Sequence, residues 1–134
     1  MMQTYEGGCH CGQVRFRAQG DLDLISVCNC SICTMKGFVH MIVPRERFEL
    51  LRGEDAITTY KFGTGVAKHT FCRHCGIHSF YTPRSSPNGI SVNVHCLDGV
   101  NVEGMTPRPF DGRHWEEAMQ ARLNSGDARD VTGA

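Results

Sequence analysis

Three short cysteine runs carry the chemistry of this chain: Cys9-His10-Cys11, Cys28-Asn29-Cys30-Ser31-Ile32-Cys33 and Cys72-Arg73-His74-Cys75. Thiols one or two residues apart can occupy neighbouring vertices of a tetrahedron once the backbone turns sharply. Soft thiolates also suit zinc, whose filled d shell tolerates that geometry. Two pairs close a four-thiolate site, so Cys9 and Cys11 are grouped with Cys72 and Cys75. Gly12 and Gly76 follow the pairs and allow each turn to approach a metal without side-chain obstruction. Such a site ties early sheet elements to a later hairpin, and metal affinity then contributes to the folding free energy.

Cys28, Cys30 and Cys33 remain as three ligands of a second tetrahedron. Left open, the fourth position holds water or substrate, and an open zinc lowers the pKa of bound water, polarises a carbonyl or stabilises a thiolate for attack on carbon. The competing arrangement is a closed site completed by a histidine or Cys96, and spacing does not separate the two. Thiol–disulfide exchange at the CxxC pairs is a third reading, weakened by the clustering of metal-type ligands.

Ile90-Ser91-Val92-Asn93-Val94-His95-Cys96 has the clearest two-residue alternation in the sequence. As a strand it places Ile90, Val92, Val94 and Cys96 on an apolar face and Ser91, Asn93 and His95 on a polar one. His95 is therefore the candidate catalytic residue, placed to bind substrate or move a proton, with a simple solvent contact as the alternative. His40 and His69 have the same two readings. Cys96 reads first as a small hydrophobe, His10 and His74 as turn-orienting residues, and Arg84 as a solvated loop charge or a partner for a substrate carboxylate.

The chain has 134 residues, 14 basic and 14 acidic side chains and 8 cysteines, which suits one compact domain. A formal charge of zero supplies no broad positive field for nucleic acid or an anionic membrane. Seven thiolates on two zinc ions would shift that charge by about minus three, further disfavouring polyanions. Met1 to Glu6 lacks the basic and apolar sections of a secretory signal, and no run is long enough to cross a bilayer. A cytoplasmic chain is expected, its close cysteine pairs suiting metal in a reducing compartment.

The ligands need elements to hold them. Strand patterns cover Gln13 to Ala18, with Val14 and Phe16 inward, then Leu22 to Val27, Phe38 to Val43, Ala56 to Phe62, Val66 to Phe71 and the run from Ile90. Gly63-Thr64-Gly65 marks a hairpin turn. A short helix after Asp111 would present Trp115, Ala118, Met119 and Leu123 as an apolar stripe. Residues 1–123 form the expected single domain and 124–134 a polar tail. The expected class is mainly β, antiparallel, with a short C-terminal helix.

Taken together, Gly8-Cys9-His10-Cys11-Gly12, the Cys28 to Cys33 run, Phe71-Cys72-Arg73-His74-Cys75-Gly76, His78 to Ser85 and His95-Cys96-Leu97-Asp98 resemble the glutathione-dependent formaldehyde-activating enzyme family, also called the centromere protein V/Gfa domain. The resemblance implies an Mss4-like, zinc-bound antiparallel β fold with two Zn(2+) per chain. One is structural, at Cys9, Cys11, Cys72 and Cys75; the other is catalytic-type, at Cys28, Cys30 and Cys33. It also implies carbon–sulfur lyase chemistry on a small thiol adduct, the founding activity joining formaldehyde and glutathione as S-hydroxymethylglutathione. Tyr81 to Ser85 and His95 to Asp98 are more similar to the centromere protein V branch, which makes a non-catalytic, zinc-stabilised interaction module the second reading. No feature of the sequence assigns an oligomeric state.

Overall fold

The computed structural model describes residues 1–125. Ten strands, β1 (Met2–Gly8), β2 (Arg15–Asp21), β3 (Ser26–Cys28), β4 (Val39–Pro44), β5 (Phe48–Arg52), β6 (Ile57–Tyr60), β7 (His69–Cys72), β8 (Phe80–Tyr81), β9 (Gly89–Asn93) and β10 (Arg108–Phe110), make up most of the regular structure. Two helices join them, α1 (Ser31–Lys36) and α2 (Trp115–Ser125). Among the described residues the sheets have strand orders β1-β2-β5, β10-β3-β4-β9-β8 and β6-β7. The mainly β class with a C-terminal helix is the one observed. No helix among the described residues is long and apolar enough to cross a membrane.

Alternation in β2 works as the sequence indicates: Phe16 and Ala18 are buried while Arg17 and Gln19 face solvent, and Val14 just before the strand is buried too. Phe16 lies at the centre of the core, stacked on Phe48 at 5.5 Å and edge-on to Phe80 at 5.9 Å. Val92 and Val94 meet the same core cluster, as do Met41 and Cys72. The alternation of β4 divides in the same way, so Val39, Met41 and Val43 point into this core and leave Phe38, His40 and Ile42 for the opposite face.

Four features depart from or refine the sequence reading. First, β10 pairs with β3 in parallel, one parallel pair within a mainly antiparallel fold. Second, the helix α1 begins at Ser31 inside the Cys28 to Cys33 run and ends at Lys36, hidden from a periodicity search by its six-residue length. Third, Val94–Cys96 is a 3-10 turn: the Asn93 side chain accepts the His95 N–H at 3.2 Å, caps the turn and ends the strand before His95. Fourth, Leu123 is exposed, because Arg122 occupies the inward helical position with its guanidinium 4.5 Å from the centre of the Phe110 ring. Asn124 and Ser125, expected in the tail, close α2, and the rest of that tail lies outside the described residues.

Phe16→Ala removes a fully buried ring and its two aromatic partners, so unfolding by denaturant should show a loss of about 3–5 kcal/mol. A loss under about 1 kcal/mol would contradict the central place given to this ring.

Candidate metal centres

The first cysteine group forms where two hairpin-like knuckles meet. After β1 the chain turns with Gly12 at φ 82°, the Gly12 N–H donating to Cys9 O at 3.2 Å. After Phe71 it turns with Gly76 at φ 77°, the Gly76 N–H donating to Cys72 O at 2.8 Å. Both angles favour glycine, because a Cβ would crowd the backbone. The backbone N–H groups of Val14 and His74 donate to Cys9 Sγ and Cys72 Sγ at 3.3 and 3.4 Å. Arg52 braces the first knuckle through two hydrogen bonds to Gly12 O, at 3.2 and 2.9 Å.

The sulfurs of Cys9, Cys11, Cys72 and Cys75 all lie within 4.8 Å of one another. Cys9 to Cys11 is 3.5 Å and Cys11 to Cys72 is 3.7 Å. Zinc with bonds of about 2.3 Å has tetrahedral sulfur–sulfur edges of about 3.8 Å, so this donor set fits the ion. A disulfide would need about 2.05 Å, and all eight cysteines are free. Burial works against the Cys75 thiolate, yet the N–H groups of Cys11 and Ile77 and the neighbouring thiols outweigh it and bring the group down to about 6. Cys96 lies beside this cluster without joining it, its thiol pushed up to about 11 by burial and then by Cys9 and Cys75.

The second group contains Cys28, Cys30 and Cys33, again within 4.8 Å of one another. Strand β3 delivers Cys28, Cys30 is the N-cap of α1, and Cys33 lies on its first turn. Thiols of Cys28 and Cys33, then backbone N–H groups of Cys33 and Ile32, hold Cys30 down to about 2. The hydrogen bond with Cys30 shifts Cys28 upward, and hydrogen bonds with Cys28 and then Cys30 shift Cys33 upward. A zinc ion replacing those shared protons would make all three thiolates ligands.

A C-terminal segment packs over this group. Phe110 pairs with Cys28, and the backbone at Gly112 lies so near that an added Cβ would overlap Cys28 Sγ. Asn29 holds the segment, its Nδ2 donating to Asp111 Oδ1 at 2.9 Å and its Oδ1 accepting the Arg113 N–H at 3.1 Å. No spacing rule in the sequence connects residues 28–30 with 110–113. The nearest signal was Gly112, which opens the 3-10 turn Gly112–His114 and whose missing Cβ the approach to Cys28 Sγ requires.

All three of these cysteines line a cavity of about 680 Å³. One wall is an aromatic stack in which Phe62 lies 5.4 Å from His69 and His69 lies 5.1 Å from Tyr81. Tyr81 OH is 4.0 Å from Cys33 Sγ. Lys36 Nζ sits 4.0 Å over the Tyr81 ring and 3.2 Å from His69 Nδ1. Burial pushes this ammonium down to about 8, and the nearby sulfur charge works the other way. Arg84, Arg113 and Arg122 also line the cavity, and no Asp or Glu is among its described lining residues. His95 is exposed on its 3-10 turn and is not a lining residue, whereas His40 and His69 are.

The model of the family described as glutathione-dependent formaldehyde-activating enzyme matches residues 4–114. The crystal structure of a Rhodobacter sphaeroides protein superposes with a TM-score of 0.73 at 36% identity, covering 78% of this chain and 97% of that one. The family match includes all seven clustered cysteines and ends just before α2.

Gly112→Ala should weaken metal binding at Cys28, Cys30 and Cys33 while sparing the four-cysteine group. Elemental analysis of zinc-reconstituted protein should then fall from about two equivalents to about one with the circular dichroism spectrum retained. Undiminished zinc would show that the contact tolerates a methyl group.

Proposed function

This chain belongs to the glutathione-dependent formaldehyde-activating enzyme family, and on that premise we propose that it is a zinc-dependent carbon–sulfur lyase acting on a small thiol adduct, with S-hydroxymethylglutathione as the reference substrate. The observation that carries the proposal is the cavity that opens onto Cys28, Cys30 and Cys33. In this reading Cys9, Cys11, Cys72 and Cys75 hold a structural zinc. Zinc held by Cys28, Cys30 and Cys33 would supply a Lewis acid with a place for a thiol or a carbonyl oxygen.

The chain's own residues supply binding and exclusion of water. Arg84 and Arg113 line the cavity with no Asp or Glu among its described lining residues, which favours an anionic ligand, as expected for a thiol carrying carboxylates. Arg84 stacks 3.7 Å from the centre of the Trp115 ring and pairs with the exposed Glu116 at 3.4 Å, a weak ion pair that a substrate carboxylate can displace. Phe62 and Tyr81 form an apolar wall for the reacting carbon. A non-catalytic interaction module would have no use for such a cavity at its metal ligands, and eight free thiols suit a reducing, cytoplasmic compartment. His95, the catalytic candidate of the sequence, has no part in this cavity.

Cys30→Ser should leave the protein folded, lower bound zinc to about one equivalent and slow adduct formation from glutathione and formaldehyde by at least about 100-fold in an exchange NMR assay. Cys72→Ser should instead destabilise the whole domain. Wild-type protein with both zinc ions and no acceleration over buffer would remove the lyase reading. Unchanged zinc content and turnover in the Cys30 variant would remove that cysteine from the site.

A further inference from the structure

His40 and Tyr81 line the cavity and belong to a buried polar patch of the sheet. Register places it: Ile42 pairs with Ser91 and Ser91 with Tyr81, while His40 lies two pairs along, opposite Asn93. His40, Ser91 and Tyr81 therefore share one face of three adjacent strands. All three are buried, with His40 4% and Ser91 0% exposed. His40 Nδ1 lies 2.9 Å from Ser91 Oγ and 3.3 Å from Tyr81 OH.

The other edge of the imidazole is different. His40 Nε2 is buried and has no hydrogen-bond partner, although the ring lines the cavity. Buried polar atoms are rarely left unpaired, and those that are often mark a ligand's place. Two hydroxyl groups converge on Nδ1, and when both donate to it the ring hydrogen lies on Nε2, the tautomer this inference assigns. Burial, then the charge of Lys36, also holds the imidazole down to about 3, so the ring is neutral and carries one N–H.

We propose that His40 is a catalytic residue whose Nε2–H donates to the oxygen on the carbon bonded to the substrate sulfur, in the hydroxyl of a hemithioacetal or the aldehyde carbonyl related to it. Ser91 is its positioning residue. The inference rests on the thiol-adduct reading and gives it a recognition element for the S–C–O group. In the cleavage direction the C–S bond breaks with its electron pair going to sulfur. The hydroxyl O–H pair becomes the second C–O bond, and the hydroxyl hydrogen ends on the departing thiol. His40 keeps its own proton throughout, and its hydrogen bond strengthens as the oxygen gains charge.

The test uses zinc-loaded, full-length protein with imidazole-15N labelling. The His40 signals should show the Nε2–H tautomer. The Nε2 resonance should move with S-hydroxymethylglutathione and stay in place with S-methylglutathione, which lacks the oxygen. In the exchange assay His40→Phe should lower kcat by about 100- to 1,000-fold with KM within about threefold and both zinc ions bound, while His40→Gln, which keeps an amide N–H, should recover part of the loss. Ser91→Ala should perturb the tautomer signal and lower kcat by a smaller factor.

An Nδ1–H tautomer, or equal Nε2 shifts with both ligands, overturns the inference even if His40→Phe fails to fold. So does full activity in a folded His40→Phe protein. Those results leave the lyase reading intact when wild-type protein turns over and Cys30→Ser does not. Failure of the lyase reading has a separate signature, an inactive wild-type protein holding both zinc ions.

Discussion

The meeting of four sulfurs from two knuckles is the constraint on which the remaining structure depends. Cys11 and Cys72 are 61 positions apart and 3.7 Å from each other, so the cluster closes most of the β-sheet framework into one loop. Closure of an interval that long costs entropy, and a metal ion bound at the four sulfurs would help to offset it. Donor geometry suited to a metal explains why the two knuckles repeat one design, a glycine with positive φ and a backbone N–H aimed at sulfur. Arg52 at Gly12 O and the Arg73 N–H to Ala56 O at 2.8 Å brace them from outside.

With that framework closed, β4 and β9 form the divide between two environments. Val39, Met41, Val43 and Val92 face the hydrophobic core, His40 and Ile42 line the cavity, and Ser91 is buried on their side of the sheet. A single antiparallel pair thus supports the core with one face and the candidate chemistry with the other. Ser91 Oγ and Tyr81 OH both lie within hydrogen-bond reach of His40 Nδ1, which holds the ring in place and leaves Nε2 as its unpaired edge. The C-terminal segment completes the opposite side through Gly112 and the Asn29 clamp. Metal loading and the packing of that segment are thereby linked through contact at Cys28.

Local patterns in the chain were enough to establish the ligand groups, the inward set of β2 and the polar alternation of Ser91 and Asn93, because spacing and side-chain direction over a few residues follow from backbone geometry. A histidine inside the apolar run Phe38 to Val43 was a visible anomaly, but its partners lie 41 and 51 positions away. Tertiary structure alone decided that the polar face of β9 is buried rather than solvated, and that His40, not His95, lines the cavity. The physical reason is that strand register and the Asn93 cap govern where those rings go, and both are settled by contacts made after distant segments have come together.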